Sequence, residues 1–127
     1  IGETLIKINR STYRTQDKKR GYVFCSSKAY KQGQREKYWY GYRRNPLDDI
    51  SECQEKYMVY GCKDAKEVLI IPVHLIEERT DRVNNSLDES GNISHWHIVF
   101  FRDTNGHMTQ LLSKPELEEV SIDEFKI

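Results

Sequence analysis

An α+β fold, built as a mostly antiparallel sheet or a small, partly open barrel of about seven strands with one or two helices, is predicted by three features of the chain. Short runs of Val, Ile, Leu, Tyr and Phe recur with period-two spacing, one apolar stripe of helical period follows Pro72, and strands and helices show no regular βαβ alternation. The 127 residues suit a single core and hence a single domain over 1–127. Apolar content of 37% is low for a globular chain, but its clustering in runs argues against disorder.

Taken in order, Thr4 to Asn9 alternates well enough for a first strand. Arg14 to Arg20 reads as a long basic loop ending at Gly21, and Tyr22 to Ser26 as the second strand. A polar turn around Gln32, Gly33 and Gln34 leads into a third strand, Lys37 to Arg43, which Asn45-Pro46 stops. Pro46 to Cys53 is a short helical turn or a loop. Tyr57 to Cys62 and Val68 to Ile71, separated by the polar stretch KDAKE, form a hairpin whose VLII run has the composition of a fully buried strand. Val73, Ile76, Thr80 and Val83 then fall on one helical stripe opened by Pro72. After a polar loop over Asn84 to Asn92, SHWHIVFFRD is a strong strand, turned by DTNG onto HMTQLLS. Ser121 and Glu124 offer a capping box near the end.

Composition excludes several classes. No run approaches the roughly 18 apolar residues of a membrane span, and no secretory leader pattern is present. The first residue is Ile1, as expected of a domain excised from a longer protein. Three cysteines (Cys25, Cys53 and Cys62) without a C-x-x-C pair suit a reducing, cytoplasmic setting, so the sequons at Asn9, Asn84 and Asn92 are read as chance. The zero net charge is segregated. Residues 1 to 45 hold twelve Lys and Arg against three acids, a balance of +9, and the other 82 residues stand at −9. Such asymmetry points either to a polyanion partner for the basic part or to mutual neutralisation across the fold.

The segment EKYWYGYRR packs four aromatic rings and three cations into nine residues. In an extended strand Tyr38, Tyr40, Tyr42 and Arg44 share one face, and Lys37, Trp39, Gly41 and Arg43 the other. Either face, if open, could stack bases on its rings while cations contact phosphate. Against this, a tyrosine taken singly is more often a ring at a core margin. Eight of the fourteen aromatic residues share the first 45 positions with the twelve cations, which favours the binding reading.

His95 and His97 are placed on one face of a strand, with Trp96, Ile98 and Phe100 on the core face. Two imidazoles are not a metal site, and any third ligand from His74, His107, Cys53 or Cys62 has no supporting spacing. A nuclease would need an acid followed by acid-x-Lys. Glu67 lacks the lysine, and Glu124-Phe125-Lys126 lies in the tail. Cys25 or Cys62 with a histidine has no nucleophile spacing, and the seven glycines form no phosphate loop. No cofactor and no catalysis are expected of this chain alone.

The order KYWYGYRR, VLIIP before a helix, and HWHIVFF leading into a hairpin resembles accessory DNA-recognition modules, B3-like in element count, of prokaryotic restriction and DNA-defence proteins. The resemblance covers residues 4 to 113 and implies recognition beside catalytic domains of a parent chain. The expected function is therefore DNA binding or modification sensing, with RNA or a single strand as alternative ligands and no membrane partner. The expected contacts are Lys18, Lys19, Arg20, Lys37, Arg43 and Arg44 on phosphates, Tyr38, Trp39, Tyr40 and Tyr42 stacking or lining a pocket, and His95 and His97 donating to phosphate or a base edge. The rival readings are a protein-interaction module and a metal-dependent hydrolase using His95 and His97.

Overall fold

The computed structural model describes residues 4–63 and 66–127. Eleven strands form two sheets that face each other across one cluster of buried side chains. The first sheet has the order β1(Leu5–Lys7), β2(Thr12–Thr15), β3(Arg20–Ser27), β6(Glu55–Cys62), β7(Glu67–Pro72). The second runs β11(Glu118–Ser121), β10(Met108–Leu112), β9(Ile93–Arg102), β5(Arg35–Tyr42), β4(Tyr30–Gln32), and β8(Asn85–Leu87) also pairs with β9. A six-residue helix, α1(Val73–Glu78), follows β7.

The α+β class stands, with corrections. The strands number eleven rather than seven because short edge strands such as β1, β4 and β8, each of three residues, carry too few positions to show a period. The sheets do not close into a barrel. Arg14 to Arg20 is no long loop: β2 runs to Thr15, and a tight turn with Lys18 at φ +64° returns the chain at Arg20. The stripe from Val73 to Val83 is broken at Arg79, beyond which Thr80–Arg82 is a separate 3-10 turn. Pro46 to Cys53 begins as a 3-10 turn, Asn45–Ile50. Ser121 makes no cap to Glu124; its Oγ instead accepts from the Asp123 N–H at 3.4 Å. The KDAKE turn includes Asp64 and Ala65, which lie outside the described residues.

Among the described residues one strand pairing is parallel, β3 beside β6, through eight positions from Arg20–Glu55 to Ser27–Cys62. Between them the chain crosses to the second sheet, makes the β4–β5 hairpin and returns, so β6 re-enters in the direction of β3. The β6–β7 hairpin is as expected, but VLII is not buried on both faces. Leu69 and Ile71 enter the core, while Val68 and Ile70 stay half-buried, because β7 is the outermost strand of its sheet.

Aromatic rings fill the space between the sheets. Tyr40 of β5 meets Tyr60 of β6 at 4.7 Å and Phe100 of β9 at 5.3 Å, and Tyr60 meets Phe100 edge-on at 5.1 Å. Such tilted pairs add to the area they bury. Ile50 lies against β3, and a Cβ on Gly21 would stand 2.6 Å from its Cβ. Gly21→Ala is therefore expected to destabilise the protein by roughly 2–3 kcal/mol, read as a lowered midpoint in urea. An unchanged midpoint would mean that the turn carrying Ile50 yields freely.

Candidate nucleic-acid interface

Alternation along β5 and β9 decides which side chains face outward. Tyr38, Tyr40 and Tyr42 point into the core with Trp96, Ile98 and Phe100. Their neighbours Lys37, Trp39 and Gly41 therefore share the outer face of the second sheet with His95, His97, Val99 and Phe101. In register, Lys37 is opposite Phe101, Trp39 opposite Val99 and Gly41 opposite His97.

Trp39 is 40% exposed at the middle of this face. Its ring meets those of His95 and His97 edge-on at 5.9 and 5.5 Å, and the two imidazoles stack at 5.4 Å. Glycine at 41 makes room for this group, since a Cβ there would come within 3.2 Å of the His95 ring and 3.4 Å of the Trp39 ring. His97 is held by Ser86, Oγ to Nε2 at 2.8 Å. Arg43 donates to Ser94 Oγ at 2.9 Å, and Ser94 Oγ stands 3.0 Å from His95 Nδ1. With its oxygen already accepting from the guanidinium, the Ser94 hydroxyl is free to donate to Nδ1, which places the His95 proton on Nε2. Burial, then Arg43 and His97, push the His95 pKa below its ordinary value, so the ring is neutral at pH 7.

The expected contact residues divide sharply. Lys37, Trp39, Arg43, His95 and His97 come together on this face. Tyr38, Tyr40 and Tyr42 do not, and their burial corrects the expectation that they line an open surface: Tyr38 and Tyr42 are wholly buried. Tyr40 donates to the Gly61 carbonyl at 3.0 Å, and Tyr42 to Glu77. Phenols can enter a core because such partners satisfy their hydroxyls. Lys18, Lys19 and Arg20 belong to the β2–β3 turn of the other sheet, where Lys18 lies 3.9 Å from Glu52 and Arg20 3.2 Å from Glu55. Arg44 is locked to Glu77 at 2.7 Å and lies over Trp96 at 4.4 Å.

The charge segregation along the chain is thus partly undone in space. Arg14, Lys18, Arg20, Arg35 and Arg44 all pair with acids from beyond residue 45: Glu52, Glu55, Glu77 and Glu119. On and beside the outer face, Lys28, Lys37 and Arg43 have no ion-pair partner among the described residues. Arg35 stacks on Phe101 at 4.0 Å and is neutralised by Glu119 at 2.7 Å, sealing that end of the face.

Arg43 and Arg44, adjacent in sequence, should therefore separate by experiment. Arg44→Ala is expected to lower the melting temperature by a few degrees, about 1 kcal/mol, because Trp96 loses its cover and Glu77 its partner. Arg43→Ala should leave it unchanged. Arg44 first, and Tyr42 against the opposing effect of burial, hold the Glu77 carboxyl below its ordinary 4.5. The folded value is the lower one, so this stabilisation is complete above pH 4.5 and is lost as pH falls through the folded value. Glu77→Gln should flatten that acid limb of the stability curve.

Catalytic alternatives find little support in the geometry. Among the described residues no three His, Cys, Asp or Glu side chains are grouped to hold a metal. Burial pushes the Cys25 thiol up to about 11 and raises Cys62, so neither is a thiolate at neutral pH. No helix among the described residues is long and apolar enough to cross a membrane.

One aromatic residue of the face escapes sequence reasoning. Tyr30, on three-residue β4, is 49% exposed and stands opposite Lys37 on the outer side. Its strand is too short to show alternation, and its place follows only from pairing with β5. No family model, curated protein or solved structure matches the chain.

Proposed function

We propose that the protein is a nucleic-acid-recognition module that binds unpaired bases on the outer face of its second sheet, DNA being the first candidate ligand. The observation that carries this reading is the exposed Trp39, set among His95, His97, Lys37 and Arg43 on one face. Rings on an open sheet offer stacking to any base, and cations without an ion-pair partner among the described residues offer charge to phosphates. The role is recognition, as in the DNA-recognition or modification-sensing domains of restriction and defence proteins, with chemistry supplied by another domain of the parent chain.

Three cations set the expected salt dependence. With Lys28, Lys37 and Arg43 each on a phosphate, a plot of log K against log salt for a single-stranded oligonucleotide should fall with a slope of about −2, and Lys37→Ala should lessen it by about 0.7. Fluorescence anisotropy with labelled single-stranded DNA, RNA and duplex measures both values. Absence of binding to all three, or binding indifferent to salt, removes the reading.

A further inference from the structure

We propose that the cleft between Tyr30 and Trp39 seats one unpaired nucleobase, with the Gln32 amide reading its hydrogen-bonding edge and Lys37 on an adjoining phosphate. This inference rests on the nucleic-acid reading above and deepens it. The cleft, about 350 Å³, is lined by Tyr30, Gln32, Lys37 and Trp39. All four sit on the outer face, because Tyr30 pairs with Lys37 and Gln32 with Arg35, and Trp39 lies two residues beyond Lys37 on β5.

That register makes Tyr30 and Trp39 diagonal neighbours across antiparallel strands, their backbone positions about 7–8 Å apart. A planar ring inserted between two others needs roughly the same, twice the contact distance of about 3.5–4 Å. Both rings are exposed, at 49% and 40%, so the cleft is open to a ligand. The Gln32 side chain has no hydrogen-bond partner among the described residues, and its amide supplies a donor and an acceptor side by side, the pattern that base edges complement.

Charge selects the occupant. Two exposed rings lining one cleft also suit a quaternary ammonium group, but Lys37 lines the cleft and Lys28 Nζ stands 5.3 Å from the Tyr30 ring centre, so a cation is repelled. A flat ring carrying a phosphate satisfies rings, amide and ammonium groups together.

The test uses four deoxyribo-octamers, one per base, and an abasic octamer of equal charge, titrated against the whole chain. The intact protein should bind at least one base-bearing octamer about tenfold tighter than the abasic one. Tyr30→Ala should abolish that preference, and Tyr30→Phe should keep it. Gln32→Leu should alter the ranking among the four bases. Should Tyr30→Ala fail to fold, Tyr30→Leu serves for the same measurement. A preference that survives Tyr30→Ala overturns the cleft and leaves the face reading intact, whereas salt-sensitive binding with no preference for bases removes the stacking on which both readings rest. Binding of no octamer overturns both.

Discussion

Tyr40→Ala is expected to remove about 3–5 kcal/mol of stability, enough to leave a domain of ordinary stability barely folded. The ring stands between the sheets against Tyr60 at 4.7 Å and Phe100 at 5.3 Å, so truncation opens a cavity that neither sheet can close without moving against the other. Its hydroxyl also donates to the Gly61 carbonyl at 3.0 Å and lies 3.3 Å from Cys62 Sγ. Tyr40→Phe keeps the ring and loses that bond, and should cost roughly 1 kcal/mol. Urea unfolding of the two variants separates packing from hydrogen bonding. A loss below about 1 kcal/mol for the alanine variant would mean that the two sheets are not held together through this ring.

Trp39→Ala, one residue away, should behave in the opposite manner. Its ring is exposed at the centre of the outer face, and its removal should change stability by no more than about 1 kcal/mol. Single-stranded DNA binding should weaken by roughly five- to 150-fold, since stacking on one ring contributes about 1–3 kcal/mol per base. The result follows from anisotropy titration at fixed salt, with a thermal melt as control for folding. A variant that binds as the intact protein does would show that the face is not used, however well the rings and cations are placed. A variant that unfolds would move Trp39 into the core account with Tyr40. The pair is informative because two aromatic residues adjacent in the chain fall on opposite sides of one strand.

The same division shows how much of the candidate face is legible in the sequence. Period-two spacing sorted residues 37 to 44 into two sets, and the sets are those observed. It did not say which set faces water, because both contain rings and neither is aliphatic. His95 and His97 fell on the outer side as expected, since Trp96, Ile98 and Phe100 form an unmistakably apolar alternate set. Arg43 and Arg44 looked equivalent as phosphate contacts; only the position of Glu77, on a helix thirty-odd residues later, separates them. Tyr30 carries no sequence signal and Gln32 reads as part of a polar turn, because β4 has three residues and no local pattern marks so short a strand.

Local sequence determined what local forces control: the β5 and β9 strands, the hairpins β6–β7 and β9–β10, the start of α1 after Pro72, and the grouping of side chains into alternate faces. Tertiary structure alone decided the parallel union of β3 with β6, the inward turn of three tyrosines, and the capture of five early cations by later carboxylates. The reason is range. Strand periodicity and turn chemistry act over a few neighbouring residues, whereas burial and charge pairing depend on which distant segments meet, and a phenol or a guanidinium is at home on either side of a sheet until its partner arrives.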